Sequence, residues 1–514
     1  MSASLNAAQR ARDLDALSES TVDVLVVGGG ITGAGVALDA ASRGLTVALV
    51  EKHDLSFGTS RWSSKLIHGG LRYLAKGDIH LAWESARERA ALIGTIAPHL
   101  VHPLPFVIPL NDAVPRSLGR LAWMGYEAGD VLRMLSGTSR WVLPRPRRLS
   151  IAETLRYVPS VNLAHLHGGL LTWDGQLEDD ARLVVGVART AAEYGARVIT
   201  YAGATQLRGD GATIVDETSG QALDIRARAV VNATGVWVPE LASEIKLRPS
   251  KGAHLVLPGA SLGYPRAALT VPVPGETNRF VFAMPQPDGL IYLGLTDDPI
   301  SGPVPDVPFA DEADETFLLD VISRALAVPL TPQDVVGSFA GLRPLAAAGE
   351  GRTADLSRNH VVHRGSNGVV SVYGGKLTTY RQMAQDTVDA VVDGAAGGLS
   401  AAPSPTRKLP LVGAAPLTEL VEVAAPARLV RRYGTEAPLV ASMAEDDSSL
   451  LAPVAPGIPV LGVELAFGIR HEGALSVEDL LARRTRLALA PELAEGARPA
   501  AERILERWGA AALV

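Results

Sequence analysis

Residues 21–51 read TVDVLVVGGGITGAGVALDAASRGLTVALVE. An apolar run from Val22 to Val27 enters the cluster Gly28-Gly29-Gly30-Ile31-Thr32-Gly33. Small residues follow at helical spacing, Gly44 stands where a helix C-terminal glycine belongs, and a second apolar run ends at Glu51. Strand, turn, helix and strand in this order make a β-α-β unit, and its two strands are expected to pair in parallel. The glycines fit G-x-G-x-x-G. The first permits a tight turn, the second lets a pyrophosphate approach the backbone, and the third brings helix and strand together. The helix N-terminus adds N–H groups and the positive end of a dipole. Glu51 would accept hydrogen bonds from ribose hydroxyls and disfavour a 2′-phosphate. This is a dinucleotide cradle, and by itself it does not separate NAD from FAD.

Two features bear on that choice. A second G-x-G-x-x-G is absent from the sequence, which argues against a second dinucleotide site. The stretch RARAVVNATGVW (226–237), with Ala233-Thr234-Gly235, resembles the second dinucleotide-contacting turn of FAD oxidoreductases. After the cradle comes GTSRWSSKLIHGGLRYL (58–74), too polar for a core segment. Its Thr59, Ser60, Ser63 and Ser64 are short hydroxyl donors within reach of pyrophosphate or ribitol oxygens. Gly69 and Gly70 allow a flat ring to lie against the backbone. Arg72 offers a bidentate clamp for a phosphate or carboxylate, and His68 can move protons near neutral pH. Read singly, these residues also have plainer meanings: a core histidine, and a surface Arg-Tyr pair.

Outward from these motifs, the 514 residues make a multi-domain chain. Hydrophobic residues at 47% and charged residues at 20% exclude wholesale disorder. A net charge of −7 argues against nucleic acid, which needs clustered basic residues. With 0 cysteines, disulfides, thiolate metal sites and a cysteine nucleophile are excluded. No apolar window is long enough for a transmembrane helix, and the N-terminal stretch lacks the apolar core of a secretory signal. Helices are expected over 78–97, 118–135, 179–194 and 315–327, and strands over 196–201, 359–364 and 368–373. Residues 250–300 read as an antiparallel sheet, 392–416 as a Gly/Ala/Pro/Ser-rich linker, and the remainder as mostly helical. His165 and His167 sit two apart near Asp174, a spacing that puts both on one strand face, but no metal site is expected. The basic stretch Arg140–Arg148, with Trp141, is a candidate contact for anionic lipid.

TSRWSSKLIHGGLRYL resembles the signature of FAD-dependent glycerol-3-phosphate dehydrogenases, a branch of the D-amino-acid-oxidase-like flavoproteins. Further matches follow in order: LEDDARL (177–183), VVNATGVW (230–237), KGAHLVLP (251–258), RFVFAMP (279–285), GLTDDP (294–299), GLRPL (341–345) and YGGKLTTYR (373–381). SVEDLLARRTRLAL (476–489) resembles the family's C-terminal helical cap. The resemblance implies an α/β fold with a discontinuous Rossmann-type FAD-binding domain (21–95, 150–250 and 335–392). It adds an antiparallel-sheet substrate domain (96–149 and 251–334), a linker (393–416) and a helical cap (417–514) after an N-terminal extension (1–20).

The resemblance also implies oxidation of sn-glycerol 3-phosphate at C2 to dihydroxyacetone phosphate, with FAD as cofactor and a membrane quinone as acceptor. Rival readings are an oxidase using oxygen, an amino-acid or amine oxidase, and a flavin-binding protein without turnover. Arg343 matches the arginine that holds and polarises substrate, Arg72 a second arginine assigned to the phosphate, and these two roles are interchangeable. Lys376 matches a cation beside the flavin, His68 and His254 are alternative bases, and Tyr73 contacts substrate or lines the pocket. Ala253 stands where the family commonly has serine. Cofactor contacts are assigned to Gly28, Gly30, Ile31, Thr32, Gly33, Glu51, Lys52, Thr59, Ser60, Ser64, Lys65, His68, Gly69, Gly70, Leu71, Ala204, Ala233, Thr234, Gly235, Trp237, Arg343, Gly375, Lys376, Leu377, Thr378 and Thr379. The implied setting is cytoplasmic, peripheral on the inner face of the membrane, as a homodimer.

Overall fold

The computed structural model of the chain describes residues 3–75, 77–276, 279–300, 302–347, 359–394 and 398–511. The N-terminal stretch forms helix α1 (Ala7–Glu19), pinned by Arg10, whose Nε donates to the Thr200 carbonyl at 2.7 Å and whose guanidinium pairs with Asp216. The cradle follows as strand β1 (Thr21–Val27), helix α2 (Ile31–Ser42) and strand β2 (Val47–Val50). Two of its glycines are required by close approach. A Cβ at Gly33 would lie 1.8 Å from the Gly28 carbonyl oxygen, and one at Gly28, which has φ +110°, 2.6 Å from the Ala233 oxygen. α2 is buried along most of its length because it packs between the Asp180–Glu193 and Tyr380–Gly394 helices, so it keeps small residues all round rather than a polar face.

β1 lies in a sheet ordered His360–Arg364, Val370–Gly374, Ala222–Asn232, β1, β2, Arg197–Ile199. Pairing is parallel from Val370–Gly374 through to Arg197–Ile199. β2, the end of β1 that pairs with it and the end of Ala222–Asn232 that pairs with β1 are continuous buried runs, almost wholly apolar, as a parallel sheet covered by helices requires. The second sheet is antiparallel over most of its pairs, with Ser250–Pro258 between Leu290–Gly294 and Gly337–Arg343. One pairing, Ala268–Pro272 with Val101–Pro109, is parallel. Gly169–Leu177 and Gly337–Arg343 hydrogen-bond into this second sheet, although the sequence boundaries group them with the dinucleotide-binding segments. Both mix apolar with polar residues, GLLTWDGQL and GSFAGLR, so their composition does not choose the partner.

The C-terminal part packs its own core around Leu429, Val463, Phe467 and Leu480, with a small hairpin of Pro453–Ala455 and Ile458–Leu461 among its helices. It docks on the rest through buried ion pairs, including Arg182 with Glu472 at 2.7 Å and Arg432 with Asp179 at 3.2 Å. Among the described residues no helix is long and apolar enough to cross a membrane.

Candidate active site

A cleft of about 990 Å³ runs from the cradle to the second sheet. At one end stand Gly28, Gly30, Ile31, Thr32, Glu51 and Lys52, with Ala204, Ala233, Thr234 and Gly235 beside them. At the other end are His68, Tyr73, His254, Arg343, Gly375 and Lys376. Thr59, Ser60, Ser64, Gly69, Leu71, Trp237, Leu377 and Thr378 also line it. Residues scattered over more than three hundred positions therefore converge on one space.

The cradle end suits a dinucleotide. Gly30, the residue before α2, offers no side-chain cap, and the first turn has no acidic residue, so the helix N-terminus faces the cleft without an acidic acceptor of its own. The Ile31 N–H donates to the Ser60 hydroxyl at 2.9 Å. Glu51 accepts the Gly29 N–H at 2.6 Å and the His53 N–H at 2.8 Å, which ties the end of β2 to the glycine turn. Burial pushes its carboxyl above the ordinary range, and the N–H bonds from His53 and Gly29 oppose that. A carboxylate still has lone pairs left for ribose hydroxyls after two such bonds. This open helix end, the close-packed glycine turn and the carboxylate fit the adenosine and pyrophosphate of FAD.

At the far end Arg343 closes the strand Gly337–Arg343. Its Nη1 donates to Ser250 Oγ at 3.1 Å, to Asp297 at 3.2 Å and to the Lys251 carbonyl at 3.3 Å, and its Nη2 to the Thr296 carbonyl at 3.0 Å. Gly252 makes the room: a Cβ there would sit 2.1 Å from Nη2. Lys376 occupies the turn before the Leu377–Thr379 helical turn, donates to Ser85 Oγ at 2.7 Å and lies 4.1 Å from the Tyr73 ring centre. Thr379 is buried below it and donates to the Lys376 carbonyl at 3.4 Å. His68 faces Tyr73 with ring centres 6.0 Å apart. His254 stacks on Phe339 at 4.6 Å and meets the Ser64 hydroxyl through Nε2 at 2.9 Å. Burial, then the nearby Lys65 and Arg343 cations, push its imidazole well below the ordinary histidine range.

Some assigned residues stand elsewhere. Lys65 points away from the cleft: it is fully buried, pairs with Asp180 at 2.9 Å and donates to the Arg61 carbonyl at 2.7 Å. Burial lowers its ammonium below the usual range. Gly33 and Gly70 act through packing, Gly70 because a Cβ would lie 2.9 Å from Ala82 Cα. The side chain of Arg72 lies outside the described residues. His165 is on an exposed turn with φ +55°, paired with Asp112 at 2.6 Å, and His167 precedes the strand, so the shared strand face does not form. Among the described residues no group of three His, Asp or Glu is placed to hold a metal ion.

The residues that sequence reasoning missed are supports. Arg89 lies under Gly69, where a Cβ would come within 2.2 Å of its guanidinium. It pairs with Asp174 at 2.6 Å, and Asp174 accepts the Gly69 N–H at 3.1 Å, so this pair holds the glycine backbone in place. Asp297 does the same for Arg343. Their signal in the sequence is faint, since each is a common residue type far along the chain from its partner.

Residues 23–381 match the FAD dependent oxidoreductase family, and residues 404–509 match the C-terminal domain of alpha-glycerophosphate oxidase. The chain is 50% identical over 517 residues to glycerol-3-phosphate dehydrogenase 1 of Mycobacterium tuberculosis, covering 98% of this chain and 99% of that protein. Identity to the mitochondrial glycerol-3-phosphate dehydrogenase of Arabidopsis thaliana is 35% over 532 residues, covering 94% of this chain and 82% of that one. Among solved structures, the glycerol-3-phosphate dehydrogenase from Bacillus halodurans complexed with FAD superimposes with a TM-score of 0.74 at 27% identity, covering 98% of this chain and 94% of that one.

Proposed function

The chain belongs to the FAD-dependent glycerol-3-phosphate dehydrogenases, and on that premise we propose that it oxidises sn-glycerol 3-phosphate at C2 to dihydroxyacetone phosphate and delivers the electrons to a membrane quinone. The observation that carries the chemistry is the meeting of Arg343, Lys376 and two histidines with the dinucleotide cradle in one cleft. Bound FAD supplies the two-electron acceptor for the C2 position. The chain's own residues do the rest. Arg343, held from behind by Asp297 and two carbonyls, presents a fixed fork to a substrate oxygen. Lys376 places positive charge in the same cleft, where it would offset the negative charge that reduction puts on the bound flavin. Arg72 is assigned to the phosphate. His254 is a poor base because burial and two cations disfavour its protonation. His68 is therefore assigned to take the hydroxyl proton, and His254 to fix the Ser64 hydroxyl.

The acceptor and location rest on the helix Arg116–Leu135. Its inner side contributes Leu118, Ala122 and Gly125 to the cleft. Its outer side exposes Met124 at 67% and Leu135 at 62%, and Trp141 just beyond is 86% exposed. Exposed Arg116, Arg120 and Arg140 flank this apolar surface, with Glu127 its one exposed acid among the described residues. Apolar side chains rimmed by arginine suit an anionic bilayer, and a cleft wall at that surface suits a lipid-borne acceptor. Peripheral attachment to the inner face of the cytoplasmic membrane, as a homodimer, belongs to the same proposal.

The test is anaerobic stopped-flow mixing with glycerol 3-phosphate, followed by a quinone or oxygen. Flavin bleaching with reoxidation by quinone is the expected result. An unbleached flavin would sink the substrate assignment, and rapid stoichiometric peroxide would make the protein an oxidase.

A further inference from the structure

Asp54 lies in the loop after β2 and is fully buried. Its carboxylate accepts both Nη groups of Arg484 at 2.8 Å and Nε of Arg483 at 2.6 Å, and both arginines come from the C-terminal part of the chain. The same loop reaches the glycine turn at two points: the Ser56 N–H donates to the Gly29 carbonyl at 3.0 Å, and Glu51 accepts the Gly29 N–H at 2.6 Å. Ser56 has φ +64°, which a residue with a Cβ adopts when its surroundings hold it there. Tyr201 adds a second strap, donating its N–H to the His53 carbonyl at 2.8 Å and its hydroxyl to Asp479 at 2.7 Å. Burial alone would raise the Asp54 carboxyl, but Arg484 and Arg483 outweigh it and hold the group charged.

We infer that the C-terminal part clamps the cofactor site: Arg484 and Arg483 act through Asp54 to position the loop that carries Glu51 and braces the glycine turn, so that FAD binding and the docking of this part are coupled. Asp54, Arg483 and Arg484 are positioning residues here. The clamp rests on FAD as the occupant of the cradle, and it is separable from the proposed reaction because it is read from FAD affinity. Coupling of this kind is reciprocal: whatever the docked C-terminal part adds to FAD affinity, FAD returns as resistance to undocking.

The test is titration of FAD into the deflavinated full-length chain, together with the rise in Tm that FAD produces. Asp54→Asn should weaken FAD affinity about tenfold or more, within the usual range of coupled sites. The FAD-induced rise in Tm should shrink with it, because ligand stabilisation follows concentration over Kd. The control is Glu436→Gln, which breaks another bidentate pair across the same junction, with Arg189 at 2.6 and 2.8 Å, on the helix Asp180–Glu193 rather than on the loop. It should lower the Tm of the apo and FAD-bound forms alike and leave FAD affinity within about twofold, because the pair does not touch the Asp54 loop and the part stays docked through its other ion pairs. Arg484→Lys, which keeps the charge and loses the fork, is read in the same way if Asp54→Asn does not fold. The clamp is overturned if the Asp54 or Arg484 variant binds FAD as tightly as the parent chain, or if Glu436→Gln weakens FAD equally.

Discussion

Replacing Arg343 by lysine keeps the charge and removes the fork. In the structure the guanidinium is anchored by Asp297, Ser250 Oγ and the carbonyls of Lys251 and Thr296, at 3.0–3.3 Å. These anchors hold the plane at a fixed angle to the cleft. A lysine ammonium has three donors on a flexible stem. It can satisfy Asp297, which is 6% exposed at its side chain, or reach the substrate, but it cannot hold a planar pair of donors while doing both. The expected loss is one charged hydrogen bond to substrate, about 1.5–3 kcal/mol. At about 1.4 kcal/mol per decade, kcat/KM should fall about 10- to 150-fold. The assay is the rate of anaerobic flavin reduction against glycerol 3-phosphate concentration, in samples matched for flavin content and with Tm checked. A kcat/KM within about twofold of the parent chain, a change of under 0.5 kcal/mol, would refute the reasoning and make Arg343 a structural brace.

Gly252→Ala attacks the same fork from behind, since its Cβ would stand 2.1 Å from Nη2; KM for glycerol 3-phosphate should rise with little change in Tm, and an unchanged KM would remove Gly252 from the account. His99, buried and driven down to about 3 by burial and then by Arg182 and His102, makes stability depend on pH. The unfolded chain takes up this proton near the ordinary value of about 6.5 while the folded chain resists. The stabilising contribution is therefore full above that pH and lost as pH falls toward about 3, at up to about 1.4 kcal/mol per pH unit, and urea unfolding of His99→Gln between neutral and acid pH should show a shallower loss. Met124→Asp with Leu135→Asp should abolish co-sedimentation with anionic vesicles without affecting flavin reduction by glycerol 3-phosphate; retained vesicle binding would move the membrane face elsewhere.

The cradle was legible because everything it needs lies within one contiguous stretch. A tight turn, a close helix–strand crossing and an open helix end each demand glycine, and the three demands recur at fixed spacing. The ends of the helices at Arg116–Leu135 and Asp180–Glu193 were legible to within a few residues for similar local reasons. Lys65 stands inside the polar motif, where sequence gives no direction for a side chain, and the structure turns its ammonium onto Asp180. A left-handed backbone at Lys65, φ +56°, accompanies the burial of its ammonium against Asp180. That Gly169–Leu177 and Gly337–Arg343 pair into the second sheet is not legible from domain bounds, because pairing partners are set by chain crossings far away in sequence. The pairs Arg89–Asp174, Arg343–Asp297 and Arg484–Asp54 were invisible for the same reason: arginine and aspartate are ordinary surface residues until the fold buries them together.

Those pairs also explain why a chain of net charge −7 can be read as binding an anion. At physiological ionic strength exposed charges are screened over about 8 Å, so the sum over the surface says little about one cleft. What counts is the local set. At the end of the cleft away from the glycine turn the lining carboxylates include Asp174 and Asp297, and each is matched by an arginine, Arg89 at 2.6 Å and Arg343 at 3.2 Å. Each pair contributes little net charge but fixes a backbone or a fork in place. Lys376, which donates to Ser85 Oγ and lies against the Tyr73 ring, is a further cation lining the same cleft. The same logic applies to His254: burial, with Lys65 and Arg343 nearby, holds its imidazole well below the ordinary histidine range, because a protonated ring there would add a further cation. Paired charges thus hold the geometry, and removing a support such as Asp297 should disturb orientation and local charge at once, because it frees the Arg343 fork and takes away the carboxylate that balances it.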